Sequence, residues 1–415
     1  MIKDQEKPLV PQAQAPLQRS GGMNSYLAAH ARAIPPSGIR RFFDLVNASK
    51  DKDIISLGVG EPDFVTPWRV RDAAVHSLEK GKTQYSPNAG LLELRESIGQ
   101  YLSNQFQLTY EPANEMIVTV GGSEGIDLAL RALIEPGDEV LVPEPSYLPY
   151  SPITTLLGGI PVGIETFAKD QFKLTEESLR AAITPKSKVL ILCYPSNPTG
   201  AIMTYEEMLP IAKIVEEHDL IVISDEIYAE LTFTGGKHVS FAALPGMKDR
   251  TLLVSGFSKA FAMTGWRLGY ACGHRDIISA MLKIHQYTIM CASTMAQVAG
   301  IESLTKSGME EKDRMMESYN QRRRLVVKGF REMGLECHEP QGAFYAFPSI
   351  QATGMTSEQF AERLLLEANV AAVPGHVFGK GGEGFLRCCY ATSVTQLTEA
   401  LDRIGTFLRS LEQDG

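Results

Sequence analysis

The chain has 415 residues, a formal net charge of −9 and a charged content of 21% beside a hydrophobic content of 44%. That length exceeds one typical core and predicts two or more domains, while the acidic balance excludes a broad nucleic-acid-binding face. No window reaches the roughly eighteen consecutive apolar residues of a bilayer span, so no membrane is expected.

The N-terminal MIKDQEKPLVPQAQAPLQRSGG is rich in Gln and Pro and lacks an apolar signal core. It predicts a disordered arm over residues 1–22. The six cysteines (Cys193, Cys272, Cys291, Cys337, Cys388 and Cys389) show no CxxC and no Cys/His metal spacing. No metal is expected, and so few thiols without a signal fit a reducing, cytoplasmic setting. Cys388 and Cys389 are adjacent in a strand-like run, so they should face opposite sides of it.

From about residue 115 to 273, apolar runs of strand length alternate with helical patterns. The runs are MIVTV (116–120), EVLVP (139–143), KVLILCY (188–194), LIVISDE (220–226) and TLLVSGF (251–257). SEGIDLALRALI (123–134) and TYEEMLPIAKIVEEH (204–218) read as helices. Strands apolar at nearly every position are buried on both faces, as in a parallel sheet between helix layers. The pattern predicts an α/β fold: a large, doubly wound, mostly parallel-sheet domain over residues 67–304. Helical patterning runs on to about residue 333. Short segments then follow: GAFYAFPSI (342–350), SEQFAERLLLEA (357–368), VAAVPG (370–375), FLRCCYA (385–391) and a final helix from about Thr395. Residues 305–415, with 23–66, are expected to form a smaller α+β domain.

In doubly wound sheets, ligands bind beyond the carboxyl ends of the strands. Five candidate groups stand there or in the small domain. Gly121-Gly122-Ser123-Glu124-Gly125 follows MIVTV and opens a helix, so its amides suit a phosphate; a simple turn accounts for the same glycines. PSNPTG (195–200) presents Asn197 between two prolines, again with a turn as the alternative. Asp225 ends a very apolar strand and needs a donor or cationic partner, with Tyr228 three residues on; a helix cap is the bland explanation. Ser255-Gly-Phe-Ser258-Lys259 places one lysine among small and apolar residues. There its amine is expected to lose its proton readily and attack carbonyls. Arg267 follows eight positions later. Arg387 sits alone in FLRCCYATS and calls for an anion, either an internal carboxylate or one from a ligand. Together these make a phosphate cradle, a buried acid, a Schiff-base lysine and an arginine for a carboxylate, the parts that pyridoxal 5'-phosphate requires.

With those residues in hand, the chain resembles the class I/II aminotransferases of the fold-type I pyridoxal-phosphate superfamily. The similarity runs over nearly the whole chain after the arm. It is carried by LGVGEPDF (57–64), TQYSPNAG (83–90), GGSEG (121–125), YPSNPTG (194–200), SDEIY (224–228), SGFSKAFAMTGWRLGY (255–270), GAFYAFP (342–348) and LRCCYATS (386–393). SGIRRF (37–42) and KIHQYTIMCAS (283–293) are similar to bacterial enzymes for aromatic amino acids or N-acetyl-diaminopimelate. The resemblance implies that Lys259 bonds the cofactor and moves the proton, and that Asp225 partners the pyridine nitrogen. It implies that Asn197 and Tyr228 reach the phenolic oxygen and that Tyr147 stacks on the ring. Gly122, Ser123, Glu124, Ser255, Ser258 and Arg267 would hold the phosphate. Arg387 would bind the substrate α-carboxylate, with Gly60, Ile39, Tyr147 and Asn197 lining the substrate pocket. Tyr85 would serve the neighbouring site of a homodimer. The implied reaction moves an amino group from an L-amino acid to a 2-oxo acid, 2-oxoglutarate being the expected acceptor. Serine at position 123, where some aspartate enzymes of the group have lysine, argues against aspartate. A β C–S lyase on the same scaffold is the alternative.

Overall fold

The computed structural model describes residues 22–36, 38, 53–233 and 236–414. The arm expected over residues 1–22 lies, apart from Gly22, outside them, as do Ile39 and Arg40. Two units are present, Met1–Pro35 and Pro36–Gly415. The described part of the first holds a short 3-10 turn, Met23–Tyr26, and a helix, Ala29–Ala33, neither with a buried residue.

The second unit is organised on a seven-stranded sheet. Its strands in chain order are β2 (Met116–Thr119), β3 (Glu139–Glu144), β4 (Ile160–Glu165), β5 (Ser187–Cys193), β6 (Ile221–Asp225), β7 (Thr251–Gly256) and β8 (Gly269–Cys272), preceded by a short β1 (Ile55–Ser56) in another sheet. The spatial order is β2-β8-β7-β6-β5-β3-β4. Pairs β3–β4, β3–β5, β5–β6 and β6–β7 are parallel; β7–β8 and β2–β8 are antiparallel. The sheet is therefore mostly parallel, as expected. The five apolar runs are five of its strands, each within two residues of its expected bounds. The edge strand β4 and the antiparallel β8 had no such signal. β4, IPVGIE, has one buried residue, so its pattern is not that of a buried strand.

The continuous apolar runs follow from burial on both faces. In β5, Val189, Ile191 and Cys193 enter one core, with Ile126 and Leu130 of the Gly122–Leu133 helix. Leu190 and Leu192 enter the opposite core, with Ile211 and Val215 of the Tyr205–Glu217 helix. Period-two alternation between two apolar layers leaves no polar position from Val189 to Cys193. The Tyr205–Glu217 helix starts at a reciprocal capping box between Thr204 and Glu207. Helix Gly122–Leu133 starts instead at Gly121, which has no side chain to cap with.

The C-terminal residues form smaller pieces. The GAFYAFPSI run is a strand only over β9 (Tyr345–Ala346). VAAVPG gives β10 (Val370–Ala371) and β11 (Val373–Pro374), and FLRCCYA gives β12 (Leu386–Cys389). β11-β12-β9 is antiparallel, and β1 pairs parallel with β10. Within β12, alternation sets Arg387 and Cys389 on one face and Cys388 on the other. SEQFAERLLLEA is a helix over Ser357–Ala368, and the last helix spans Val394–Asp414. No described helix is long and apolar enough to cross a membrane.

Candidate active site

A cavity of about 500 Å³ opens beyond the carboxyl ends of β2, β3, β5, β6 and β7. Strand order alone delivers its lining: Gly122 and Ser123 follow β2, Tyr147 follows β3, Asn197 follows β5, Asp225 ends β6, and Ser258 and Lys259 follow β7. Residues Gly58 to Glu61, Tyr345 and Arg387 complete it from the rest of the unit.

Lys259 Nζ donates to the Gly60 carbonyl at 2.6 Å and lies 5.7 Å from the Phe344 ring centre. Burial pushes its pKa from 10.5 down to about 8, with Arg387 adding to the fall and Cys389 opposing it. An amine that sheds its proton near neutral pH is a competent nucleophile toward a carbonyl. Asp225 is buried, and burial raises its carboxyl from 3.8 to about 6 against hydrogen bonds that favour the ionised form. Those bonds come from Tyr150, whose hydroxyl donates to Oδ2 at 2.6 Å, and from the Ile227 amide to Oδ1 at 3.2 Å. Asp225 therefore stays largely ionised near neutral pH while shielded from water, as a partner for a cationic ring nitrogen requires.

The two arginines of the lining, Arg267 and Arg387, have no carboxylate partner among the described residues. Arg387 is 4% exposed and lies between the Tyr345 and Phe378 rings, 4.7 and 4.8 Å from their centres. It donates to Asn197 Oδ1 at 3.0 Å and to the Gly58 carbonyl at 2.7 Å, and its Nε has no partner. Among the described residues, no internal carboxylate meets Arg387. A buried guanidinium bonded only to neutral oxygens is held ready for an anion. Arg267 packs against Gly121, where an added Cβ would lie 2.6 Å from Nη2. Gly121 also has φ of 78°, a backbone conformation that strains any residue but glycine. Beside it, the amides of the first helical turn lack a protein acceptor among the described residues and suit an anion.

Tyr228 lines the cavity, and its hydroxyl shares a 2.7 Å hydrogen bond with that of Tyr345. Tyr147 lines the cavity together with Gly122 and Ser123, the opening residues of the Gly122–Leu133 helix. Three expected site residues do not line the cavity. The Ser255 hydroxyl is buried and donates to the Glu226 carbonyl at 3.1 Å. The Glu124 carboxylate turns away, toward His285. Tyr85 is 81% exposed, away from this chain's own cavity. Ile39 lies outside the described residues. Sequence reasoning missed Tyr150, Tyr345 and Cys193. Tyr150 had a signal: a buried tyrosine hydroxyl needs a partner, and it lies three residues after Tyr147 in PSYLPY. Tyr345 and Cys193 gave none beyond their place in apolar runs.

The model of the family described as Aminotransferase class I and II matches residues 52–404. YugH of Bacillus subtilis (strain 168), named as an aminotransferase without a stated substrate, is 56% identical over 93% of this chain and 99% of its own. The aspartate aminotransferase of Pyrococcus abyssi is 44% identical over 91% of this chain and 96% of its own. The crystal structure of an aromatic aminotransferase from Pyrococcus horikoshii OT3 superposes with a TM-score of 0.85 at 43% identity, covering 90% and 99% of the two chains. The chain belongs to the class I and II aminotransferases.

Proposed function

We propose that this aminotransferase holds pyridoxal 5'-phosphate on Lys259 and takes its amino group from an L-amino acid with an aromatic side chain, passing it to 2-oxoglutarate. The observation that carries this reading is the pairing, in one cavity, of a lysine amine near pKa 8 with a buried, unpaired Arg387. The family implies the cofactor, and the donor set fits it. When bound, the cofactor supplies an aldehyde carbon for amine exchange and a ring that accepts the electrons left as the α-proton departs.

The chain's own residues divide the work. Arg387 takes the substrate α-carboxylate in its planar fork, exchanging neutral acceptors for a charged one. Lys259 Nζ, free of its proton near neutral pH, would take the proton from the substrate α-carbon and deliver it to the carbon that was the cofactor's aldehyde. Asp225, whose ionised form Tyr150 and Ile227 favour, would partner the ring nitrogen. Asn197 and Tyr228 would hold the phenolic oxygen, and Tyr147 would stack on the ring. Gly122, Ser123, Ser258 and Arg267 would hold the phosphate and so fix the cofactor's position against Lys259.

Two observations support an aromatic donor over aspartate. Position 123 is serine, and the only cationic side chains in the described lining are Lys259, Arg267 and Arg387, all already engaged. The remaining lining includes Val59, Ile126, Ile227 and Tyr345. The same reading includes a homodimer in which Tyr85 serves the second site. Asn88 donates to the Met290 carbonyl and Thr294 to that of Gln84, each at 2.8 Å. Exposed Tyr85, Tyr287, Ile289 and Met290 therefore lie on neighbouring segments suited to a second copy. It includes also the division of the chain at about residues 67 and 305, supported by the pairing of β1 with β10.

A donor panel tests the substrate. Tyrosine, phenylalanine, tryptophan, aspartate and N-acetyl-diaminopimelate are each supplied with 2-oxoglutarate, and glutamate formation is measured. The aromatic donors are expected to give the highest kcat/KM. A higher value for aspartate or for the acetylated diamino acid would replace the donor assignment.

A further inference from the structure

A buried polar pair sits just outside the cavity lining, on the first turn of the Gly122–Leu133 helix. Glu124 Oε1 accepts a hydrogen bond from His285 Nδ1 at 2.7 Å, and Oε2 accepts one from the Val120 amide at 2.5 Å. The Glu124 side chain is 11% exposed and that of His285 is fully buried. His285 comes from the neighbouring Arg275–Thr288 helix. Its other ring nitrogen, Nε2, is buried without a protein partner among the described residues. Leaving a buried polar atom unpaired is costly, and an apolar side chain there would avoid that cost. What histidine adds at this position is the Nδ1 contact with Glu124.

The start of this helix shows why that contact matters. A Ser, Thr, Asp or Asn cap would place its oxygen on the amides of the first turn. Gly121 has no such oxygen, so those amides remain open to an anion. Glu124, the third residue of the helix, instead folds its carboxylate back past Gly121 to the Val120 amide. A carboxylate free to swing on this turn would be drawn to the same positive helix end and would repel an incoming phosphate. His285 holds it on the outer side.

We propose that His285 is a positioning residue for phosphate recognition: through Glu124 it fixes the opening turn of the helix and keeps the carboxylate off the anion site. The inference rests on reading Gly121–Glu124 as the phosphate cup.

The test uses the full-length chain, freed of cofactor, as wild type, His285→Leu, His285→Asn and Glu124→Gln. Each is titrated with pyridoxal phosphate and with pyridoxal, which lacks the phosphate, and its Tm is measured. His285→Leu is expected to weaken pyridoxal phosphate by about tenfold or more, on the scale of one charge-assisted hydrogen bond. Pyridoxal should change by less than about twofold on the same reasoning, since the contact serves only the phosphate. His285→Asn, whose amide can donate to Glu124, should recover most of the loss. Should His285→Leu fail to fold, His285→Ala frees the Glu124 carboxylate in the same way and should lower the preference for the phosphorylated compound, whereas Glu124→Gln, with no charge to turn toward the anion site, should keep that preference within about twofold of the wild type. Equal weakening of both compounds, or no weakening, overturns the role of His285. Equal affinity of the wild type for both compounds overturns the phosphate reading, and the inference with it.

Discussion

Asp225 sets up a conflict between stability and function that can be measured directly. Its carboxyl is fully buried, and its pKa rises from 3.8 to about 6 because burial outweighs the bonds from Tyr150 and Ile227. A folded-state value above the unfolded one means the folded chain binds this proton more tightly. The group's favourable contribution is complete below pH 3.8 and is lost as the pH rises through about 6. A rise of that size corresponds to about 3 kcal/mol between the two limits. Asp225→Asn removes the titration while keeping an oxygen for one of the two donors. Urea unfolding of the cofactor-free wild type and variant, followed by the fluorescence of Trp68 and Trp266, gives the stability difference at each pH. The variant should gain on the wild type as the pH rises from 4 to 8, by up to about 3 kcal/mol, and then level off. A difference that stays flat over that range would refute the claim that the buried carboxylate is held ionised at the expense of the fold.

Two further outcomes are expected. Arg387→Leu should lower kcat/KM for the amino donor by about a thousandfold, the scale of two charge-assisted hydrogen bonds to one carboxylate. Arg387→Lys should restore part of that, and a loss under tenfold in the leucine variant would move the carboxylate site elsewhere. Burial lowers Lys259 to about pKa 8, so modification of the cofactor-free protein by an amine-reactive reagent, read by peptide mass spectrometry, should titrate at Lys259 with a midpoint near 8. A midpoint above 10 would mean that the amine is solvated.

The amino-acid order by itself determined the scaffold and the type of chemistry. Runs such as VLILC (189–193) have no polar position because both faces of β5 meet an apolar layer, and that local signal survives without any neighbour in view. TYEEMLPIAKIVEEH was legible as a helix for the same reason: its periodicity is local. Lys259, Asp225, Asn197 and Arg267 were legible because each follows, or ends, one of those runs. What the tertiary structure alone decided is who partners whom. Arg387 could have met an internal carboxylate, and only the fold, bringing Gly58 and Asn197 from more than a hundred residues away, showed that it meets neutral oxygens instead. Tyr150 reaches Asp225 across 75 positions, and His285 reaches Glu124 across 161. Such contacts leave no period in the sequence, because a hydrogen bond between distant segments constrains one residue on each and nothing between them. The edge strand β4 and the antiparallel return of β8 escaped for a related reason: both depend on which neighbour the strand finds rather than on its own pattern.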